Sequence, residues 1–128
     1  MIVLDTCAMI FDSLVPERLS IKAREVLCTE KNICCSDISL WEIAMLINKK
    51  RLHPGTDCLS YIQLVLDARK ITVLPITPQI AFLSTSMEEI THHDPADRII
   101  AATAKTHRAP LVTADQKLLD LNEIVTIW

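Results

Sequence analysis

Short apolar runs alternate with longer segments of helical periodicity, and this alternation constrains the fold more than any other feature of the sequence. Each apolar run is too short for a buried helix and is bounded by polar or turn residues, which is typical of a buried strand. Strands that alternate with helices predict an α/β architecture, a three-layer α/β/α sandwich with a short, mainly parallel central sheet. The predicted strands lie at residues 1–4, 33–36, 71–74, 111–113 and 124–127.

Capping residues and prolines mark where the intervening helices begin. Ser20 is a cap candidate, and Thr77 stands before a proline at the first helical position. Asp94 repeats that arrangement before Pro95, with Asp97 as a carboxylate in the first turn. Asp5 and the residue after it are interpreted as a polar turn. The predicted helices start at Ser20 and end near Cys28, and then cover 38–47, 58–68, 78–86, 96–106 and 115–121.

Composition excludes several classes of function. The 13 Lys and Arg against 16 Asp and Glu give a net charge of −3, which argues against a broad basic surface for nucleic acid. The single glycine, Gly55, excludes the Gly-rich loops that hold phosphates. No apolar run approaches the roughly 18 residues of a membrane span, so we expect a cytoplasmic protein without a membrane segment. Residues 1–128 are expected to form one domain.

The five cysteines do not form a pattern that indicates cross-linking or zinc binding. Their number is odd and no C-x-x-C occurs, so neither a disulfide framework nor a zinc ribbon fits. We expect mostly buried free thiols in a reducing compartment. On a strand, the adjacent Cys34 and Cys35 are predicted to point to opposite faces of the sheet.

Several acidic residues stand where a ligand site is expected. Asp5 and Asp115 each follow a predicted strand, and in parallel α/β sheets ligands bind outside the carboxyl ends of the strands. Each aspartate is equally suited to cap a helix. Glu42 is the only charged residue from 38 to 48, in a helix that we predict to be buried all round. Burying it costs several kcal/mol unless it pairs with Arg or Lys or serves a metal.

Asp94 and Asp97 share one helical turn. The helix dipole favours anions there, yet two carboxylates so close repel each other unless a cation lies nearby. If the sheet edge gathers these acids with Asp5, Glu42 and Asp115, they must raise one another's pKa or bind a hard divalent cation such as Mg²⁺ or Mn²⁺.

The flanking residues of these acids resemble those of the PIN-domain ribonucleases and, more narrowly, of the VapC-type toxins of prokaryotic toxin–antitoxin pairs. The resemblance covers the whole chain and implies a single PIN-like domain over 1–128. It is carried by I-V-L-D-T with Asp5, S-D-I-S-L-W-E-I-A with Glu42, H-H-D-P-A-D-R-I-I-A-A-T-A with Asp97, and L-V-T-A-D with Asp115.

The resemblance implies a Mg²⁺-dependent endoribonuclease, with Mn²⁺ as a substitute, whose acidic cluster consists of these four residues. Asp5 and Asp97 match the usual direct metal ligands, and Glu42, Asp115 and Asp94 are further ligand candidates. The residues that would support the site or position substrate are Thr6, Thr113 and Arg98. Cys7 and Ala96 depart from the usual pattern of the family and affect no acidic position.

The implied partners are an RNA substrate, a cognate antitoxin and a second copy of the chain. Arg98 and the basic cluster 49–51 are candidates for contacts to the RNA backbone, or are solvated helix ends. Two alternatives remain: a non-catalytic interaction module whose acids are caps and salt bridges, and another Asp/Mg²⁺ protein such as a haloacid-dehalogenase-like phosphatase or a receiver domain. The phosphatase motif would need a second aspartate where Cys7 stands.

Overall fold

A computed structural model describes all residues from 1 to 128 and contains five strands and seven α-helices. Two short 3₁₀ turns, Pro16–Arg18 and Glu88–Ile90, lie outside these elements. The elements in chain order are β1 Ile2–Leu4, α1 Thr6–Leu14, α2 Ile21–Thr29, β2 Ile33–Ser36, α3 Asp37–Asn48, α4 Cys58–Ala68, β3 Thr72–Leu74, α5 Pro78–Ser86, α6 Pro95–Thr106, β4 Leu111–Val112, α7 Gln116–Leu119 and β5 Thr126–Ile127.

The sheet has the order β3-β2-β1-β4-β5, and all four pairings are parallel. The predicted α/β/α sandwich is therefore confirmed. After β1 the chain builds β2 and β3 on one side, and it later returns to place β4 and β5 on the other. This reversal beside β1 opens a crevice at the carboxyl ends of β1 and β4, where open α/β sheets bind ligands.

Two apolar cores cover the faces of the sheet. Ile2 and Leu4 of β1 contribute to the core under α1, α2 and α4, whereas Val3 contributes to the core under α5 and α6. The adjacent cysteines divide in the same way, with Cys34 in the second core and Cys35 in the first, as predicted. No helix combines the length and the apolar character that crossing a bilayer would require.

Some expectations about the helices and the cysteines are wrong. Residues 6–14 form a helix that the turn interpretation of the Asp5 region did not include. Helix α3 is apolar but lies at the surface, since Trp41 is 58% exposed and only Ser39 and Ile43 of the helix are buried. The cysteines are all free, as expected, but only two are buried and Cys28 is exposed.

The elements near the carboxyl end of the chain are shorter than predicted. Strand β4 ends at Val112, α7 ends at Leu119 rather than 121, and β5 begins only at Thr126. Thr113 still donates its backbone N–H to the carbonyl of Ile127, at 3.2 Å, so the ladder continues one residue past the strand. That bond fixes Thr113 at the edge of the sheet.

Candidate active site

Asp5 is held at the carboxyl end of β1 by donors on both of its oxygens. It caps α1, because Oδ1 accepts the backbone N–H of Thr6 at 2.7 Å. Oδ2 accepts the hydroxyl of Thr113 at 2.6 Å and the thiol of Cys7 at 3.1 Å. The side chain is buried, and burial raises its pKa although these donors act against the shift. Asp5 therefore has the cap role and a position at the predicted ligand edge.

Glu42 reaches the same edge from α3. The hydroxyl of Thr6 donates to Glu42 Oε1 at 2.5 Å and lies 3.0 Å from Ser39 Oγ. None of the ion pairs of the protein includes Glu42, so the salt-bridge alternative is wrong. Partial burial raises the pKa of Glu42, and the charges of Asp5 and Asp94 raise it further.

Asp115 completes the group from the loop after β4. Its side chain caps the short α7 by accepting the backbone N–H of Lys117 at 3.0 Å. Its own N–H donates to Thr113 Oγ1 at 3.0 Å, and the hydroxyl of Thr113 donates to Asp5. Thr113 thus connects the acids that follow two neighbouring strands.

Asp97 differs from the other three acids because no group of the protein donates a hydrogen bond to its side chain. It lies in the first turn of α6 and is half-buried. Burial raises its pKa to about 7, with further increases from the charges of Asp5, Asp115, Glu42 and Asp94. Asp94 occupies the N-cap position before Pro95, as predicted, but its exposed side chain makes no cap hydrogen bond.

Four acids share one cavity of about 370 Å³. It brings together most of the predicted site residues, but Thr113, Arg98, Asp94 and the basic cluster 49–51 do not line it. Arg18 does line it and was not predicted, because its place depends on how the turn after α1 packs. The lining residues are Asp5, Thr6, Cys7, Ile10, Phe11, Arg18, Glu42, Leu46, Asp97, Ala114 and Asp115.

The chemistry of the donors fits a hard divalent cation. Asp5 and Asp97, with Glu42 and Asp115 beside them, offer carboxylate oxygens, and no ion pair compensates their charge. No three acidic, histidine or cysteine side chains converge into a ready coordination shell, so an ion would have to draw the carboxylates closer.

A larger cavity, of about 520 Å³, lies between α1 and α4 and lacks this uncompensated charge. The one acid in its lining, Asp12, is paired with Arg69 at 2.8 Å. Arg69 also donates to the carbonyl of Leu27 at 3.3 Å, so this pair ties α4 to α1 and α2. The acidic cavity is therefore distinguished by its unpaired charge rather than by its size.

Comparison with known proteins agrees with the geometry. The family described as "PIN domain" matches residues 2–124. The chain is 31% identical over 129 residues to Ribonuclease VapC22 of Mycobacterium tuberculosis, and the match covers 99% of this chain and 98% of that protein.

Solved structures show the same fold. The crystal structure of DNA-bound VapBC from Salmonella typhimurium matches with a TM-score of 0.72 at 21% identity. VapBC2 from Rickettsia felis, bound to a DNA fragment from its promoter, matches with a TM-score of 0.71 at 18% identity. Each match covers 98% of this chain and 97% of the other. With the family match over nearly its full length, the chain belongs to the PIN-domain family, and within it to the VapC type.

Proposed function

We propose that this protein is a Mg²⁺-dependent endoribonuclease and the toxin of a toxin–antitoxin pair. One observation carries the proposal: four carboxylates face one cavity, none has an ion-pair partner, and the pKa of Asp97 is raised to about 7. Ionised carboxylates in such a site repel one another in the protein alone, and a bound divalent cation would turn this repulsion into attraction. The similarity to a protein named Ribonuclease VapC22 supports RNA as the substrate.

Asp5 and Asp97 would hold the ion, and Glu42 and Asp115 would flank it. When bound, Mg²⁺ or Mn²⁺ supplies the charge that neutralises the phosphodiester and lowers the pKa of the attacking water. Thr113 fixes Oδ2 of Asp5, and Thr6 fixes Oε1 of Glu42, so the protein orients these acids before substrate arrives. Glu42 Oε2 accepts no hydrogen bond and is available to the site.

An antitoxin and a second copy of the chain are the proposed protein partners, and the cytoplasm is the proposed compartment. Support for an antitoxin comes from neighbours with the same fold whose structures are toxin–antitoxin complexes, including one from Klebsiella pneumoniae with a TM-score of 0.67. Expression of this chain alone should arrest growth, and the product of a small adjacent gene should relieve the arrest. Unaffected growth would argue against the toxin role.

Cleavage of RNA tests the enzymatic proposal. We expect cutting of structured or single-stranded RNA with Mg²⁺ or Mn²⁺, none with EDTA, and a loss of at least about 10²-fold for Asp97→Asn. Asp67→Asn is the matched control, because Asp67 is exposed and does not line the acidic cavity. It lies near the end of α4, at the amino end of the sheet, whereas the acids lie at the carboxyl end. Activity that survives EDTA and Asp97→Asn would rule out the mechanism, and a folded but inactive wild type would favour an interaction module.

A further inference from the structure

Arg18 is placed by aromatic packing rather than by charge pairing. It ends the 3₁₀ turn after α1, and its guanidinium carbon lies 4.3 Å from the centre of the Phe11 ring. Phe11 in turn packs on Trp128, with 6.1 Å between ring centres and 56° between ring planes. A cation over an aromatic face is attracted to it without losing its charge. The protein thus holds the guanidinium and leaves its charge unpaired.

The turn that carries Arg18 has its own support. Arg24 of α2 donates from one guanidinium nitrogen to the carbonyls of Pro16 and Leu19, each at 3.3 Å. The backbone N–H of Arg18 donates to the carbonyl of Val15 at 2.9 Å. The two neighbouring arginines therefore differ. The Arg24 guanidinium donates hydrogen bonds that stabilise the turn, whereas the Arg18 guanidinium donates none within the protein.

Arg18 is the one basic residue that lines the acidic cavity. An arginine whose role is to neutralise the acids would be expected to pair with one of them, but Arg18 forms no ion pair and no side-chain hydrogen bond. Every N–H donor of its guanidinium is free for a molecule that enters the cavity. The side chain is exposed, so it meets such a molecule without a rearrangement of the core.

A phosphate group fits this free guanidinium best. Its oxygens match the planar donor fork of arginine and take two parallel hydrogen bonds. The carboxylates that line the same cavity repel a phosphodiester. The positive charge of Arg18 beside them would offset this repulsion at an adjacent phosphate of the RNA. We propose that Arg18, held on the ring of Phe11, binds a backbone phosphate of the RNA next to the acidic cavity and acts as a positioning residue. This inference rests on the proposed function.

The test is the salt dependence of kcat/KM for a short single-stranded RNA, with wild type and Arg18→Gln. Loss of one phosphate contact should lower kcat/KM about tenfold at low salt, mainly through KM. It should also make the slope of log kcat/KM against log salt concentration shallower by about 0.7. A merely structural role for Arg18 would leave that slope unchanged.

Arg108→Gln is the matched control. Arg108 also lines a cavity, but it lies before β4, at the amino end of the sheet and away from the acids. The same loss of charge there should change kcat/KM less than about twofold, with the slope of wild type. An equal effect of Arg18→Gln and Arg108→Gln on KM and slope would overturn the proposal.

Two further variants test how Arg18 is held. Arg18→Lys keeps the charge, so the salt slope should stay while KM rises because the planar fork is lost. Phe11→Leu removes the ring face and should raise KM about threefold. If Phe11 acts through Arg18, the double variant should be no worse than Arg18→Gln alone. Fully additive effects would contradict the stacked arrangement.

Fluorescence anisotropy of the same RNA separates this inference from the proposed function. Failure of the wild type to cleave any RNA with Mg²⁺ or Mn²⁺ would overturn the proposed function. RNA binding that is weaker for Arg18→Gln than for Arg108→Gln would still support Arg18 as a phosphate contact. Equal binding by the two variants would overturn it, whether or not the wild type cleaves.

Discussion

Asp5 and Asp97 line the same cavity but differ in burial and in the hydrogen bonds that they accept. Asp5 is 4% exposed and accepts three hydrogen bonds, from Thr6, Cys7 and Thr113. Asp97 is half-buried and accepts none, and its pKa is raised to about 7. The protein therefore orients Asp5 with its own donors and leaves the Asp97 carboxylate without any.

Asp5→Asn should lower the stability of the protein relative to wild type, and this is the largest change in stability that we expect. An asparagine has one carbonyl oxygen in place of two carboxylate oxygens, so its amide group would face donors that Asp5 now satisfies. We expect the metal-free variant to lose about 2 kcal/mol of unfolding free energy, because mismatched donors at a buried site cost more than removal of the buried charge gains. Urea unfolding in EDTA near neutral pH measures this. A variant as stable as wild type would show that the hydrogen bonds to Asp5 do not stabilise the fold.

Thr113→Val tests the orienting role from the other side of the hydrogen bond. It removes the hydroxyl that donates to Asp5 at 2.6 Å and accepts the N–H of Asp115. We expect Mg²⁺ affinity or cleavage to fall about 10- to 100-fold. Thr103→Val is the control, since Thr103 is also buried but bonds only to the carbonyl of Ile99 in its own helix. Equal activity of both variants would refute the orienting role.

Asp97→Asn should have the opposite effect on stability from Asp5→Asn. Removing a charge that repels its acidic neighbours should raise the unfolding free energy of the metal-free protein by about 1 kcal/mol, a modest gain because solvent screens part of the repulsion and the helix dipole favours an anion at this position. Asp67→Asn should change it by less than about 0.5 kcal/mol. A clear loss of stability in Asp97→Asn would mean that Asp97 has a stabilising partner within the protein.

The pH dependence of that stability has the same cause. The pKa of Asp97 rises from about 3.9 in an unfolded chain to about 7 on folding, so the folded state binds more protons between these values. The metal-free protein should therefore lose stability as pH rises from about 4 to about 7, and the raised pKa values of Asp5 and Glu42 act in the same direction. Thermal unfolding of Asp97→Asn in EDTA should show a flatter profile. A profile of Asp97→Asn as steep as that of wild type would contradict the shift.

The sequence predicts elements well where a local signal exists. Thr77 caps α5 ahead of its proline, and α4 has the predicted bounds Cys58–Ala68. Helix α1 was not predicted because Asp5 and Thr6 are typical of a turn, and the contact of Asp5 with Thr113 forms only in the folded chain. The apolar composition of α3 predicted a buried helix, but this was wrong, because Trp41 is exposed.

The four acids of the cavity could be predicted from local patterns. Asp5 and Asp115 each follow a strand, Glu42 is the only charged residue in an apolar helical segment, and Asp97 lies in the first turn of a helix. Their unequal hydrogen bonding could not be predicted, since the donors to Asp5 come from residues up to 108 positions away. Arg18 had no signal at all in the sequence. Its position depends on the stack with Phe11 and Trp128, which joins α1 to the last residue of the chain.

Calorimetric titration of the metal-free protein with Mg²⁺ tests whether the four acids form a site for a divalent cation. Wild type and Asp67→Asn should bind Mg²⁺ alike near neutral pH, and Asp97→Asn should bind it at least about tenfold more weakly. The absence of Mg²⁺ and Mn²⁺ binding to the wild type, or binding that Asp97→Asn leaves unchanged, would show that these acids are not a divalent-cation site.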